Sequence, residues 1–332
     1  MSTVQGNAVS RRQTTHARFG RYAWGVLAYS VFVVLWGGLV RATSSGAGCG
    51  GHWPLCNGDI VPHAPTVAAI IEYTHRLMSG LAIAAVAGLW VFSRREFPRH
   101  HRVRKLAGLS LAFLAVEALL GAGLVLFDYV AHNASAGRAF YLALHLANTQ
   151  VLLAVLTLTA WLATRAEVPL TRRNIPATLL AALPLVVLLS MTGAVAALGD
   201  TLFPARSLGA GIAEEFSSAA HFLLRLRMVH PAFAVLAGFY LLYAVSSAVR
   251  ACPSTAVKRQ GAALAGLVLV QLCAGAVNIA LLAPVWMQLA HLLVADLVWI
   301  VLVVMAARIA LNPPGEPAPG GASSHSRAAS PA

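Results

Sequence analysis

Four histidines, His75, His145, His230 and His291, each stand close to the start of a long apolar stretch. An ionisable ring is expensive inside a membrane helix and marks a functional site by default. Four at one depth, in two matching pairs, call for a ligand that accepts imidazole nitrogen from two sides. Zinc prefers four ligands around one point, often with cysteine or carboxylate, whereas these side chains come two and two. An iron porphyrin takes one or two axial imidazoles in an apolar slot and needs cations for its propionates. Haem fits that pattern best, and Arg76, Arg225 and Arg227 stand near enough to serve the propionates. A single histidine near a membrane interface usually makes only a hydrogen bond; recurrence at one depth sets these four apart. His52, His63, His132 and His221 lack the repeat relation and read as polar surface, and His16, His100 and His101 as solvated.

The elements that carry these residues are membrane helices. Of 332 residues 58% are hydrophobic and 11% charged, too little charge for a water-soluble domain of this length. Eight stretches can cross a hydrocarbon core of about 30 Å: 22–40, 68–92, 106–127, 140–162, 176–198, 221–249, 261–282 and 285–309. A basic tail precedes the first and no convincing cleavage site follows it, so it is expected to stay as a helix. The net charge of +13 does not point to nucleic acid. Most Lys and Arg lie in the N-terminal tail, in alternate connections (93–106, 165–173, 250–259) and at the C-terminal end. The positive-inside rule then sets both termini in the cytoplasm and the histidines near the outer face of a cell membrane. Residues 1–21 and 311–332 are expected to be disordered cytoplasmic tails, and His325 is assigned nothing.

The chain also resembles itself. A slide of 155 residues sets His75 on His230, and a slide of 154 sets Glu117-Ala118-Leu119-Leu120-Gly121 on Gln271-Leu272-Cys273-Ala274-Gly275. A slide of 146 sets His145 on His291 and Gln150 on Asp296, residues 128–139 making up the difference. The expected fold is all-α and polytopic: eight transmembrane helices as two tandem four-helix bundles, 22–164 and 176–310, joined by a linker at 165–175. An even number of helices per half makes the halves parallel repeats, related by a pseudo-two-fold along the membrane normal. In each bundle the second and fourth helices lie on a diagonal, so their imidazoles converge from opposite sides.

The halves differ where chemistry would. Glu72 shares a helix face with His75, and Arg227 takes the matching position in the second half. A carboxylate there can accept a proton or stabilise positive charge, which makes Glu72 the candidate catalytic group. Glu117 and Asp296 oppose Gln271 and Gln150, and read first as interhelical hydrogen bonds or protonated acids. Cys49 and Cys56 lie in the first outer loop, where a disulfide, two free thiols or a metal pair are open; Cys252 and Cys273 have no evident partner.

Three motifs together resemble the haem A synthase family: Gly37-Gly38-Leu39-Val40-Arg41-Ala42-Thr43, the loop from Gly48-Cys49 through Trp53-Pro54-Leu55-Cys56-Asn57-Gly58, and Glu72-Tyr73-Thr74-His75-Arg76. The likeness covers all eight spans. It implies a membrane enzyme that oxidises the C8 methyl of haem O to a formyl group, for cytochrome oxidase. It implies further that His75 and His145 flank the substrate haem with Glu72 as the catalytic carboxylate, and that His230 and His291 ligate a haem b thought to pass electrons. Cys49 and Cys56 match the family's first-loop pair, which implies a disulfide. The partners implied are the enzyme supplying haem O, an electron partner and lipid, with a homo-oligomer left open. Two departures stand out: the third outer loop, about 199–220, has no cysteines, and His52 precedes the loop Trp53. The alternative class is a b-type di-haem electron-transfer cytochrome, against which the mismatch of Glu72 and Arg227 argues.

Overall fold

The computed structural model describes the backbone of residues 2–165 and 175–311, with side chains from residue 16 onward within them. Each of the eight apolar stretches forms a helix long and apolar enough to cross a membrane. In chain order the elements are α1 (Ser2–Ala42), α2 (Val67–Glu96), α3 (Arg102–Leu126), α4 (Ala136–Leu162), α5 (Ala177–Leu202), a short α6 (Leu208–Glu215), α7 (Phe222–Ala251), α8 (Thr255–Ala280) and α9 (Val285–Leu311). Among the described residues there is no strand, only an isolated bridge between Cys56 and Asp59. The protein is a multi-pass all-α membrane protein.

Local chemistry starts the histidine-bearing helices where they need to start. The Thr66 hydroxyl accepts from Ala69 N–H at the head of α2, and Ser135 from Arg138 N–H at the head of α4. At α7 the His221 ring accepts from Leu223 N–H, so this histidine serves as a cap. Each satisfies an N–H that the first turn leaves without a carbonyl. The turn into α9 is tighter. Leu282 and Ala283 adopt left-handed φ of 61° and 53°, and Pro284 precedes the helix.

Packing arranges the helices in two rings. α1, α2, α3 and α4 each pack on the next and α4 returns to α1, which leaves α2 and α4 on a diagonal. α5, α7, α8 and α9 close in the same manner, with α7 and α9 on the diagonal. The rings meet where α1 and α4 pack on α5 and α9. The shared core is thickest at the end away from the histidines, where Leu153, Leu156, Leu302, Met305 and Ile309 are fully enclosed. Toward the histidines α4 and α9 bury far fewer side chains.

Polar bonds register one ring against the other. Trp299 on α9 donates to Gln150 O on α4 at 2.7 Å, fully buried. Arg41, at the histidine end of α1, donates to Ala197 O (2.7 Å) and Thr201 Oγ1 (2.9 Å) on α5 and to Gln288 Oε1 (2.9 Å) on α9.

The first helix departs from the expected boundary at residue 22. It begins at Ser2 and runs through the segment expected to be a disordered tail. Residues 2–21 contain no proline, and extending an established helix costs little compared with nucleating one. Within that stretch Phe19 is fully buried, edge-on to Phe92 and Phe97, and the His16 ring stacks on Phe97 at 4.7 Å rather than standing in solvent. Most of the expected linker at 165–175 and the tail beyond Leu311 lie outside the described residues.

Replacing Arg41 with Met keeps much of its apolar stem and removes three interhelical hydrogen bonds. With charged-donor bonds worth about 1.5–3 kcal/mol each, Arg41→Met should clearly lower the thermal unfolding midpoint in detergent. An unchanged midpoint would mean that Arg41 does not hold the rings in register.

Candidate functional site

All four histidines lie near the start of their helices, at one end of the bundle, and all four are half-buried. Each ring edge faces a glycine on a neighbouring helix. A Cβ at Gly37 of α1 would lie 3.2 Å from His75 Cε1, and one at Gly193 of α5 only 3.0 Å from His230 Cε1. At Gly275 of α8 the distance to His291 Cε1 is 3.2 Å, and at Gly121 of α3 the distance to His145 Cε1 is a relaxed 3.9 Å. Close approach of this kind is how small residues let membrane helices pack around a larger group.

The rings pair within each four-helix ring. His75 lies within electrostatic reach of His145, and His230 within reach of His291. Nδ1 of His75, His145 and His291 is buried without a hydrogen-bond partner, while His230 Nδ1 meets Thr192 Oγ1 at 3.0 Å. Among the described residues no three His, Cys, Asp or Glu side chains converge on one metal point.

Glu72 is buried one turn from His75 and is held on both oxygens. Its Oε2 accepts from Cys49 N–H at 2.8 Å, and its Oε1 pairs with Arg76. Arg76 also donates to the carbonyls of His52 (2.9 Å) and Leu55. Cys49 and Cys56 form a disulfide, both buried against Ala69 and Tyr73. The loop is thus clipped onto α2 through the same two side chains that carry the site's charge. Cys252 and Cys273 are free thiols.

The matching mouth of the second ring is built differently. Arg227 donates to Glu215 Oε1 at 2.6 Å and to Phe203 O at 3.2 Å, and meets Asp200 Oδ1 at 3.4 Å. Arg225 donates to Ser218 O at 2.8 Å. Arg76, Arg225 and Arg227, read from sequence as cations for propionates, all have partners within the protein.

The acids read as interhelical bonds divide. Glu117 on α3 does bond across to α4, accepting from Asn148 and Thr149, and its Oε1 stands 3.4 Å from His145 Nδ1. Its sequence counterpart Gln271 meets His291 Nε2 at 3.2 Å. Asp296 is fully buried beside Gln150, and neither carboxyl oxygen is in hydrogen-bond geometry.

Sequence reasoning missed the four glycines, Thr192 and the partners of Arg227. The glycines left a signal: Gly121 and Gly275 already coincided in the internal alignment, four residues after Glu117 and Gln271. Glu215 left none, since α6, eight residues long, is too short to show a clear period.

Eight spanning helices, two imidazole pairs at one end and a fixed carboxylate beside one pair define a class: all-α membrane proteins with paired histidine sites. The chain belongs to the COX15-CtaA family, cytochrome oxidase assembly protein, whose model matches residues 20–303. A protoheme IX farnesyltransferase of Thermus thermophilus is 47% identical over 293 residues, 87% of this chain and 48% of that protein. The heme A synthase of Halalkalibacterium halodurans is 42% identical over 97 residues, 29% of this chain and 33% of that protein. That of Bacillus mycoides is 41% identical over 111 residues, 33% and 36% of the two chains. The chain spans about half the length of the Thermus relative it matches.

The glycine contacts order two substitutions by sign. Alanine favours a helix over glycine by about 1 kcal/mol, and at Gly121 nothing opposes that gain. At Gly193 the added methyl meets the His230 ring, and overpacking costs about 1–3 kcal/mol. Gly121→Ala should therefore hold or raise the unfolding midpoint in detergent, and Gly193→Ala should lower it. Equal midpoints for the two variants would refute the contact.

Proposed function

We propose that this chain is a haem A synthase, oxidising the C8 methyl of haem O to a formyl group within the membrane by successive hydroxylation. In this reading the two rings are four-helix domains related by an axis along the membrane normal. His75 and His145 hold the substrate haem, and His230 and His291 hold a resident haem b. The donor set fits such a group: three of the four imidazoles, His75, His145 and His291, keep a buried nitrogen without a partner, and each of the four rings is backed by a glycine. Haem b, when bound, supplies one-electron redox chemistry to the second site. The family membership and the likeness to two heme A synthases support the same activity.

The single observation that carries catalysis is Glu72. It is the carboxylate fixed beside a histidine pair by an N–H and a guanidinium, with an arginine at the corresponding place in the other ring. Converting a methyl to a formyl group with oxygen from water removes four electrons, which would pass to an external electron acceptor, and releases protons next to the ring, for which a positioned carboxylate is a suitable acceptor. Arg76 and the Cys49 N–H hold Glu72 Oε1 and Oε2 in place, and Arg76 compensates its charge at a depth where a lone carboxylate would be costly. The first-loop disulfide maintains that N–H above the site. Burial of Glu72 at 3% exposure keeps bulk water from competing for the proton.

The chain sits in this reading in the cell membrane with both termini cytoplasmic and the histidines near the outer face. The enzyme that supplies haem O is the expected partner. The Thermus relative is named for farnesyl transfer to protohaem IX, and about half of that protein lies outside the region matching this chain. Such a layout supports consecutive reactions held side by side.

Expression of the full chain with and without a haem O supply, followed by pigment extraction and mass analysis, tests the reading. Hydroxymethyl or formyl haem should appear only when both are present. Haem b alone despite abundant haem O would favour the di-haem electron-transfer cytochrome instead. Glu72→Gln should cut product formation by about 100-fold or more, the lower range for losing a general base, while bound pigment is retained.

A further inference from the structure

The two histidine pairs differ in what stands behind the ring, and the difference is a carboxylate against an amide. Glu117 Oε1 lies 3.4 Å from His145 Nδ1, and the Glu117 side chain is pinned on α4 itself by Asn148 and Thr149. Asn148 is anchored in turn, donating to Phe113 O at 3.0 Å. In the second ring Gln271 occupies the equivalent place beside His291, and the positions matching Asn148 and Thr149 are Val294 and Ala295. The first ring thus has an anchored carboxylate near an imidazole Nδ1 that makes no hydrogen bond in this structure, and its repeat has an amide that lacks those supports and meets the other ring nitrogen, Nε2.

We propose that Glu117 is the positioning residue of His145: with a ligand on Nε2 it accepts from the neighbouring Nδ1–H, a bond that the 3.4 Å approach prepares and that is not made in this structure, and it makes that imidazole the more electron-rich donor of the two pairs. The inference rests on the reading that each histidine pair holds an iron porphyrin. A ligating histidine that gives its second N–H to a carboxylate is fixed in tautomer and orientation and becomes a stronger base. A stronger donor favours oxidised iron over reduced iron. The iron between His75 and His145 therefore has the lower midpoint potential, and the iron between His230 and His291 the higher. The downhill direction for an electron runs from the first ring to the second, as required if the first ring is where a substrate is oxidised. Glu117 touches neither substrate nor reacting carbon; it acts through His145.

The test uses the full chain in detergent, loaded with iron protoporphyrin IX at both sites. Redox titration followed by absorbance gives two midpoints, assigned with His145→Ala and His291→Ala, each of which should abolish one couple. Glu117→Gln should reduce the preference of the first site for oxidised iron on the order of tenfold, which raises that midpoint by about 59 mV for a one-electron couple. The second midpoint should not move. Thr149→Val, which releases one anchor of Glu117, should shift the same midpoint in the same direction by less; it also serves if Glu117→Gln folds poorly. Two bound haems with an unmoved first midpoint in both variants would overturn the role of Glu117 while leaving the haem sites standing. Loss of neither couple in the histidine variants would overturn the haem reading itself, and this inference with it.

Discussion

Inside a bilayer two helices approach only as closely as their largest facing side chain permits, and at four places that side chain is an imidazole set against a glycine. There is no hydrophobic drive between helices in lipid, so close packing and polar bonds must supply the association. A glycine lets the neighbouring helix come near while leaving the ring a pocket on its open side. Both conditions matter, because a ring with no room would push the helices apart and a ring with too much would leave nitrogen facing lipid. The polar price of the four rings is therefore met locally, helix pair by helix pair. The dense apolar core around Leu156, Leu302 and Met305 can then sit wholly at the other end.

Charge follows the same local rule. Each histidine mouth carries one arginine in a buried ion pair, yet the roles are exchanged. Around His75 the arginine steadies an acid, and around His230 two acids, Asp200 and Glu215, steady an arginine. The two mouths can thus be similar in architecture and opposite in chemistry. One presents a held carboxylate beside its histidine, the other a cation held by two acids. Glu117 and Gln271 repeat that division deeper in the bundle. At the aligned positions 72/227 and 117/271 the first ring has the acid, and at 150/296 the second has it, so the rings are unequal in charge while their helices pack alike.

Much of this was legible in the residues. The eight helices follow from apolar length alone, since helix is the form that satisfies backbone groups in lipid without a closed barrel. The histidines and Glu72 stand out because polar groups are so rare in such segments. What stayed hidden depends on three-dimensional approach. Gly193 is one among 27 glycines, and Gly37 only the head of a motif, until the helix crossing places each on a ring. Arg227 read as a cation for propionates because its partner Glu215 lies at the end of a short helix within a loop. The tail before residue 22 looked unstructured by composition, and the helix through it is carried by continuity with the first span.

The glycine notch and the imidazole it accommodates always belong to consecutive long helices: α1 with α2, α3 with α4, α5 with α7, α8 with α9. Each hairpin therefore brings half a site already fitted when it enters the membrane. The first pair of rings is complete once α4 is inserted, but the second waits for α9, which also packs against α1 and α4. The first histidine pair is thus built wholly from the first four long helices, whereas the second is complete only with α9, which joins α5 in packing against the first bundle.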